Sequence, residues 1–532
     1  MFEFIYPYVV MGLLFSVLWL FYRIYKDRST LLPNISFWGA SLLYSVTLFM
    51  TDFSFYYKLL MMLPRDLIAF VMVFLLANNL KSTRAFFLTA AGIGMVGYLI
   101  YSNFIPETYE QYIQRNEEIK TSLELDYPDL DPTAELMFDI KDEQRLGEIE
   151  SVLKPFDVTI VKAFPNLQHE EYSELDDYYL LDLPQDIKVP LSQIIESLYQ
   201  TRAVDWVEPN EIVQLSPLEE QPTRTFDNLD YGINDPSLNQ MWAFEKMQVA
   251  SYFQHLRTSD TKPRKRAKIA ILDTGVDSQH EDIQGNYHST RPNYDTDKQS
   301  HGTHCAGIAA SVSNNGLGIA SLALDDRFVQ VTSIKVLSDY GWGTQDDILR
   351  GMIEAADSGA DVISMSLGGP ARGGGRRAYE EAIKYAQKSG AIVVVAAGNS
   401  NRNAKDYIPA SCEGVIVVSA IDRNLDRAKF SNIVSDMKMG VAAPGVEIFS
   451  TIPQNKYAAY SGTSMATPFV AGLLGIMKSL NPELSTEQAY KILNKTGFDT
   501  QDTNATGKMI NPLAPSKPLN KEFKSCKNPR LS

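Results

Sequence analysis

Five short apolar runs, separated by helical stretches, dominate the C-terminal half of the sequence and leave few ways to fold it. Lys268–Leu272, Val329–Val336, Val362–Met365, Ala391–Ala396 and Val415–Ser419 read as strands without a polar face. Thr344–Ser358 and Arg376–Ser389, between them, read as helices. Strands of this kind need cover on both sides, and the intervening helices supply it. The pattern predicts an α/β domain with a mostly parallel sheet and flanking helices, whose site lies beyond the carboxyl ends of the strands. At 532 residues, 45% of them hydrophobic, the chain is long enough for about three folding units and too apolar to be disordered. Its net charge of −15 argues against a nucleic-acid partner. Three cysteines cannot staple such a length or build a four-cysteine zinc site.

The predicted strand and helix ends carry chemistry. Asp273 follows the first run directly, in Asp273-Thr274-Gly275. His301 opens a small-residue helical segment, His301-Gly302-Thr303-His304-Cys305-Ala306-Gly307, and Ser464 opens another within Gly462-Thr463-Ser464-Met465-Ala466-Thr467-Pro468. Amide hydrolysis needs a nucleophile, a base near neutral pKa and a carboxylate that holds the base in one tautomer. Each piece alone is weak. Asp-Thr-Gly without a second such carboxylate makes no aspartic protease, and His301 with His304 lacks the helical glutamate of a zinc protease. A serine at a helix start is usually a cap. Together, in the order Asp273, His301, Ser464, they point to a hydrolytic triad.

Upstream the composition changes twice. Glu107–Asp235 holds 31 acidic and nine basic residues, a local charge of −22 that leaves +7 for the rest, and so predicts a water-facing domain of its own. Its runs Glu135–Ile140, Val158–Phe164, Tyr178–Leu183 and Val204–Leu215, the last broken by Pro209, read as strands. Two helix faces intervene, Leu146/Ile149/Leu153 and Leu191/Ile194/Ile195/Leu198. The order β-α-β-β-α-β is the split arrangement of ferredoxin-like domains. Before it, Phe4–Tyr22, Ser29–Thr51 and Ala85–Pro106 are charge-free over 19, 23 and 22 residues, each long enough to cross a bilayer as a helix. Leu59–Leu80 is similar but carries Arg65 and Asp66. Arg23, Lys26, Arg28, Lys81 and Arg84 fall in the first and third loops. With four spans and those loops cytoplasmic, the downstream domains lie outside the cytoplasm.

These motifs resemble those of the subtilisin-like serine proteases, over about Asp235 to Ala514. Ala397-Gly398-Asn399 is similar to the family's oxyanion-hole motif, Ser366-Leu367-Gly368-Gly369 and Tyr340-Gly341-Trp342-Gly343 to its two substrate walls, and Ala442-Ala443-Pro444-Gly445 to the segment before the serine. The resemblance implies a serine endopeptidase acting through an acyl-enzyme. In it Asp273, His301, Ser464 and Asn399 would be catalytic, and Gly341, Gly343, Ser366, Leu367 and Gly368 would bind peptide or protein substrate. His304 and Cys305 would be structural. Asp235, Asp282 and Asn315 resemble the family's calcium ligands, so Ca²⁺ is expected and an organic cofactor is not. The acidic domain, with Val207-Glu208-Pro209-Asn210, is similar to the family's inhibitory propeptide and implies a precursor, self-cleaved between Val213 and Asp235. The expected organisation is a transmembrane block (1–106), propeptide (107–215), linker (216–234), peptidase (235–514) and basic tail (515–532). The alternative is a catalytically silent membrane sensor that binds peptides on the same fold.

Overall fold

The computed structural model describes residues 2–26, 29–50 and 129–513, apart from 186, 188, 227, 228, 260 and 372–375. The chain divides into two compact units, Met1–Glu118 and Ile119–Ser532. In the first, helices α1 (Phe2–Tyr25) and α2 (Leu31–Met50) pack on each other. Val9, Val10, Leu14 and Val17 are buried, whereas Leu31, Leu32, Ile35, Trp38 and Leu42 are exposed. Among the described residues no helix is long and apolar enough to cross a membrane. The expected four-span block is therefore not displayed, and Leu59–Leu80 and Ala85–Pro106 lie outside the described residues.

The second unit opens with strands β1 (Leu136–Ile140), β2 (Thr159–Lys162), β3 (Tyr178–Asp182) and β4 (Val204–Pro209). They form an antiparallel sheet in the order β2-β3-β1-β4. Helices α3 (Leu146–Leu153) and α4 (Leu191–Gln200) connect them. Leu136, Phe138 and Ile140, alternating along β1, meet Ile149, Leu153, Ile194, Ile195 and Leu198 of the helices in one core. The opposite face is covered too. Met137, Tyr178 and Leu180 join a second core with Ile348, Leu349, Tyr379 and Ile383 from downstream helices. The charge of the acidic block predicts a water-facing surface, yet one face of its sheet is apolar and is buried against the next domain.

After a short strand β5 (Ile212–Gln214) the α/β domain begins. Strands β6 (Ala267–Asp273), β7 (Val329–Lys335), β9 (Val362–Met365), β11 (Ile392–Ala396), β13 (Ile416–Ile421), β14 (Gly440–Pro444) and β17 (Lys508–Met509) form one parallel sheet in the order β17-β14-β13-β11-β9-β6-β7. Strand β8 (Trp342–Thr344), the pair β10 (Gly369–Pro370) and β12 (Tyr407–Ile408), and the pair β15 (Ile448–Ile452) and β16 (Lys456–Tyr460) lie outside it. Four helices place the chemistry. They are the histidine helix (His301–Ala310), the serine helix (Thr463–Leu480), and Gln345–Asp357 and Arg376–Lys388. Thr344 caps Gln345–Asp357 by accepting the Asp347 N–H. The serine helix is buried on every side from Thr463 to Ser479, as a helix apolar all round must be. Gly472 lets it approach the histidine helix, since a Cβ there would stand 2.7 Å from the Ala309 carbonyl.

Candidate active site

Three elements bring the expected triad together. Asp273 is the last residue of β6, His301 the first of its helix, and Ser464 the second of the serine helix. Both carboxylate oxygens of Asp273 lie 2.8 Å from His301 Nδ1, and both residues are buried. Burial pulls the imidazole pKa down, but the Asp273 charge, with a smaller push from Cys305, holds it well above 6.5. Nδ1 is committed to Asp273, which leaves Nε2 as the nitrogen available for proton transfer. The Ser464 hydroxyl donates to the Ser366 carbonyl at 3.1 Å, a resting position from which rotation about χ1 can redirect it.

Pro468 lies inside the serine helix and has no N–H to give the Ser464 carbonyl four residues back. That carbonyl is satisfied sideways instead, by the Ser366 hydroxyl at 2.9 Å and the Cys305 thiol at 3.4 Å. Cys305 is thus a buried structural donor whose pKa burial pushes up. His304 is bonded through Nε2 to the Ala458 carbonyl and packs with its ring tilted against Tyr460; burial lowers its pKa to about 3.

The Asn399 amide is oriented by two donors. The Thr463 backbone N–H and hydroxyl both reach its Oδ1 at 2.9 Å, which turns Nδ2 the other way. Nδ2 and the Ser464 backbone nitrogen each lie 3.6 Å from the point where a Cβ on Gly462 would stand. Two N–H donors therefore converge beside the nucleophile on a space left open by a glycine. Such a pair can bind the oxyanion that forms when a carbonyl carbon is attacked.

Ser366, Leu367, Gly368, Asn399, Thr463 and Ser464 line a cavity of about 320 Å³, and the chain's own residues 211–216 share its wall. Strand β5 is antiparallel to β8, with Ile212 opposite Thr344, Val213 opposite Gly343 and Gln214 opposite Trp342. Leu215 N–H donates to the Gly341 carbonyl at 2.8 Å. The Ser366–Gly368 wall thus lines the cavity directly, while the Gly341–Gly343 edge is occupied by an internal segment as an added strand, and it is that segment which lines the cavity. Upstream of that strand, Gln345 Nε2 donates to Glu208, and Asn210 exchanges hydrogen bonds with Asp346.

Asp235, Asp282 and Asn315 also meet. Asp235 accepts the backbone N–H groups of Asn314 and Asn315, and Asp282 accepts Asn315 Nδ2 at 2.9 Å and the Ile319 N–H at 2.8 Å. Both carboxylates are buried. Burial and the neighbouring Asp235 raise Asp282 to about 7, with no cationic side chain among the groups acting on it. Two buried carboxylates on loops, short of positive charge, fit a hard divalent cation.

Sequence reasoning missed two positioning residues. Asp297, buried, accepts from the Thr274 and Thr303 hydroxyls and from the N–H groups of Gln299, Ser300 and Thr303, and so ties the histidine loop to the end of β6. An Asp four residues before a helix-opening histidine is a capping signal that could have found it. Thr463, which sets the Asn399 amide, had no signal beyond its place next to Ser464.

The sequence profile of the subtilase family matches residues 264–511, which include the triad and Asn399. Thermitase from Thermoactinomyces vulgaris is 43% identical over 265 residues, covering 49% of this chain and 90% of thermitase. Subtilisin DY from Bacillus licheniformis is 40% identical over 248 residues, 45% of this chain and 87% of the relative. M-protease from Shouchella clausii (strain KSM-K16) is 31% identical over 348 residues, 64% of this chain and 84% of the relative. With nine-tenths of thermitase matched at this identity, and the catalytic geometry inside the matched stretch, the chain belongs to the subtilase family of serine proteases.

Proposed function

We propose that this chain is a membrane-anchored serine endopeptidase made as a precursor, with the acidic domain acting as its inhibitor. In the reaction, Ser464 attacks the substrate carbonyl while His301 takes its proton and passes it to the leaving amine. Asp273 holds the imidazole and stabilises its charged form. Asn399 Nδ2 and the Ser464 N–H receive the oxyanion, and water then hydrolyses the acyl-enzyme. The observation that carries this reading is the buried Asp273–His301 pair, 2.8 Å apart, in a domain whose cleft is lined by Ser464 and Asn399.

The inhibitor role rests on β5, which lies on the wall an extended substrate would use. The similarity to M-protease, which spans 64% of the chain, also reaches further than the peptidase stretch. The precursor matures when the chain is cut between Val213 and Asp235. The membrane anchor rests on the charge-free run Ala85–Pro106, which lies outside the described residues, and on the apolar side chains that α2 exposes. Placement outside the cytoplasm rests on the basic residues of the first and third loops. Calcium, held by Asp235 and Asp282 with Asn315 beside them, would lock the 314–319 loop.

A reporter fused to the C-terminus tests the anchor. Alkaline phosphatase activity in the membrane fraction is the expected result. Fluorescence of a reporter that folds only in the cytoplasm, or recovery of the fusion from the soluble fraction, would overturn it.

A further inference from the structure

Strand β5 does more than cover the substrate wall, because its register fixes which peptide bond comes to the nucleophile. The ladder that pairs Val213 with Gly343 and Gln214 with Trp342 continues through the Leu215 N–H to the Gly341 carbonyl, 2.8 Å away. Side chains alternate along it: Val213 is buried, Gln214 exposed and Leu215 half-buried. Ser216 is the last residue of the run to line the cavity that contains Ser464, Asn399 and Ser366. Beyond it the chain is caught again where Gln221 N–H donates to the Ala459 carbonyl at 2.8 Å, three residues before Gly462. Residues 211–221 are therefore held at both ends, and Ser216 is where the segment leaves the cleft that Ser464 lines. The next residue is Pro217.

We infer that the bond presented to Ser464 is Ser216–Pro217, and that its proline keeps the acidic domain in place as an uncut plug. This rests on the inhibitor reading above and sharpens it. To cut the bond, Ser464 Oγ must bond to the Ser216 carbonyl carbon, and the C–N bond to Pro217 must break as His301 delivers the serine's proton to that nitrogen. In Pro217 the nitrogen is part of a ring, and Cδ fills the side where a secondary amide carries only hydrogen. The ring also restricts Ser216 to extended conformations and fixes the φ of the leaving residue. Both narrow the approach of the imidazolium to the leaving nitrogen. Maturation must then come from a cut elsewhere in the linker, after the segment has left the cleft or by another molecule.

The test uses full-length protein in detergent, with new N-termini mapped by mass spectrometry. In wild type no chain starting at Pro217 is expected. Pro217→Ala should produce a chain starting at position 217 at least about 10²-fold faster, the loss attached to misplacing a reacting group by about 1 Å. Adding Ser464→Ala should abolish that product. A wild-type chain beginning at Pro217 overturns the inference. So does a Pro217→Ala protein left uncut there while Leu215→Pro, which loses the hydrogen bond to Gly341, labels at Ser464 with a fluorophosphonate. If Leu215→Pro fails to label as well, the hydrolase reading falls and the inference with it. Pro217 is exposed on the linker, so its replacement leaves folding untouched.

Discussion

At the residue scale the site is a set of donors and acceptors in which almost every partner is fixed by a neighbour. Thr463 spends two hydrogen bonds on Asn399 Oδ1, and the result is an Nδ2 aimed at the space over Gly462. Two substitutions should impair that space in different ways. Asn399→Ala removes one donor and should lower kcat by about 10²–10³, the loss seen for one oxyanion donor in subtilisin. Gly462→Ala keeps both donors but puts a methyl 3.6 Å from each and 3.5 Å from Met465 Sδ, ordinary contact distances, so the fold should survive while kcat falls. Peptide hydrolysis and thermal melting, run side by side, check this. A Gly462→Ala enzyme with unchanged kcat would place the oxyanion elsewhere. Asp273, His301 and Ser464 were legible because catalysis demands those residue types at strand and helix ends, whereas Asn399 was legible only through the resemblance of Ala397-Gly398-Asn399 to the family's motif. Asp297 and Thr463 were not, because orienting a catalytic group is done by common capping residues that leave no mark of their own.

At the scale of elements, the runs read as strands were legible to within one or two residues, whereas β14 and β17 of the parallel sheet and the short strands outside it were not read. Val362–Met365 is a strand with the predicted ends, and Pro209 does separate β4 from β5. Apolar runs that must be buried on both faces have little freedom. Which edge β5 would choose was not legible, since backbone pairing carries no sequence label. The resemblance implies an inhibitor domain on the protease, but the face of the acidic sheet that docks was not legible, because high charge hid its apolar residues. Docking also buries carboxylates. Burial raises Glu208 to about 8, with Arg377 opposing, and raises Asp139 to about 7, again against Arg377, whose Nη2 lies 3.4 Å away. Each pKa is above its ordinary value of 4.5 or 3.8, so docking takes up protons. The stabilisation is then complete below those ordinary values and is lost as pH rises through about 7 to 8. Thermal unfolding followed from pH 5.5 to 8.5 should show the docked unit weakening as pH rises, and Glu208→Gln should flatten that slope. An equally steep slope in Glu208→Gln would remove Glu208 from the account.

At the scale of the whole molecule, our proposal gives one chain three functions: anchor, inhibitor and protease. Asp235 and Asp282 tie the start of the peptidase domain to the 314–319 loop, and their unbalanced charge is where a divalent cation would act. Adding EDTA should lower Tm by several degrees, on the order of 1–2 kcal/mol for a domain of this size. Calcium should restore it, and Asp282→Asn should blunt the response. A Tm indifferent to chelator would leave those carboxylates without a cation. Modest stabilisation from calcium would not alter the catalytic reading, which stands on the triad alone. That reading is tested most directly by mapping the adduct of a fluorophosphonate probe on the full-length protein. The account predicts a single adduct on Ser464, formed slowly in wild type because residues 211–216 border the cleft, faster in Leu215→Pro, and absent in Ser464→Ala. An adduct on another residue, or none on Ser464 in either of the first two proteins, would contradict it.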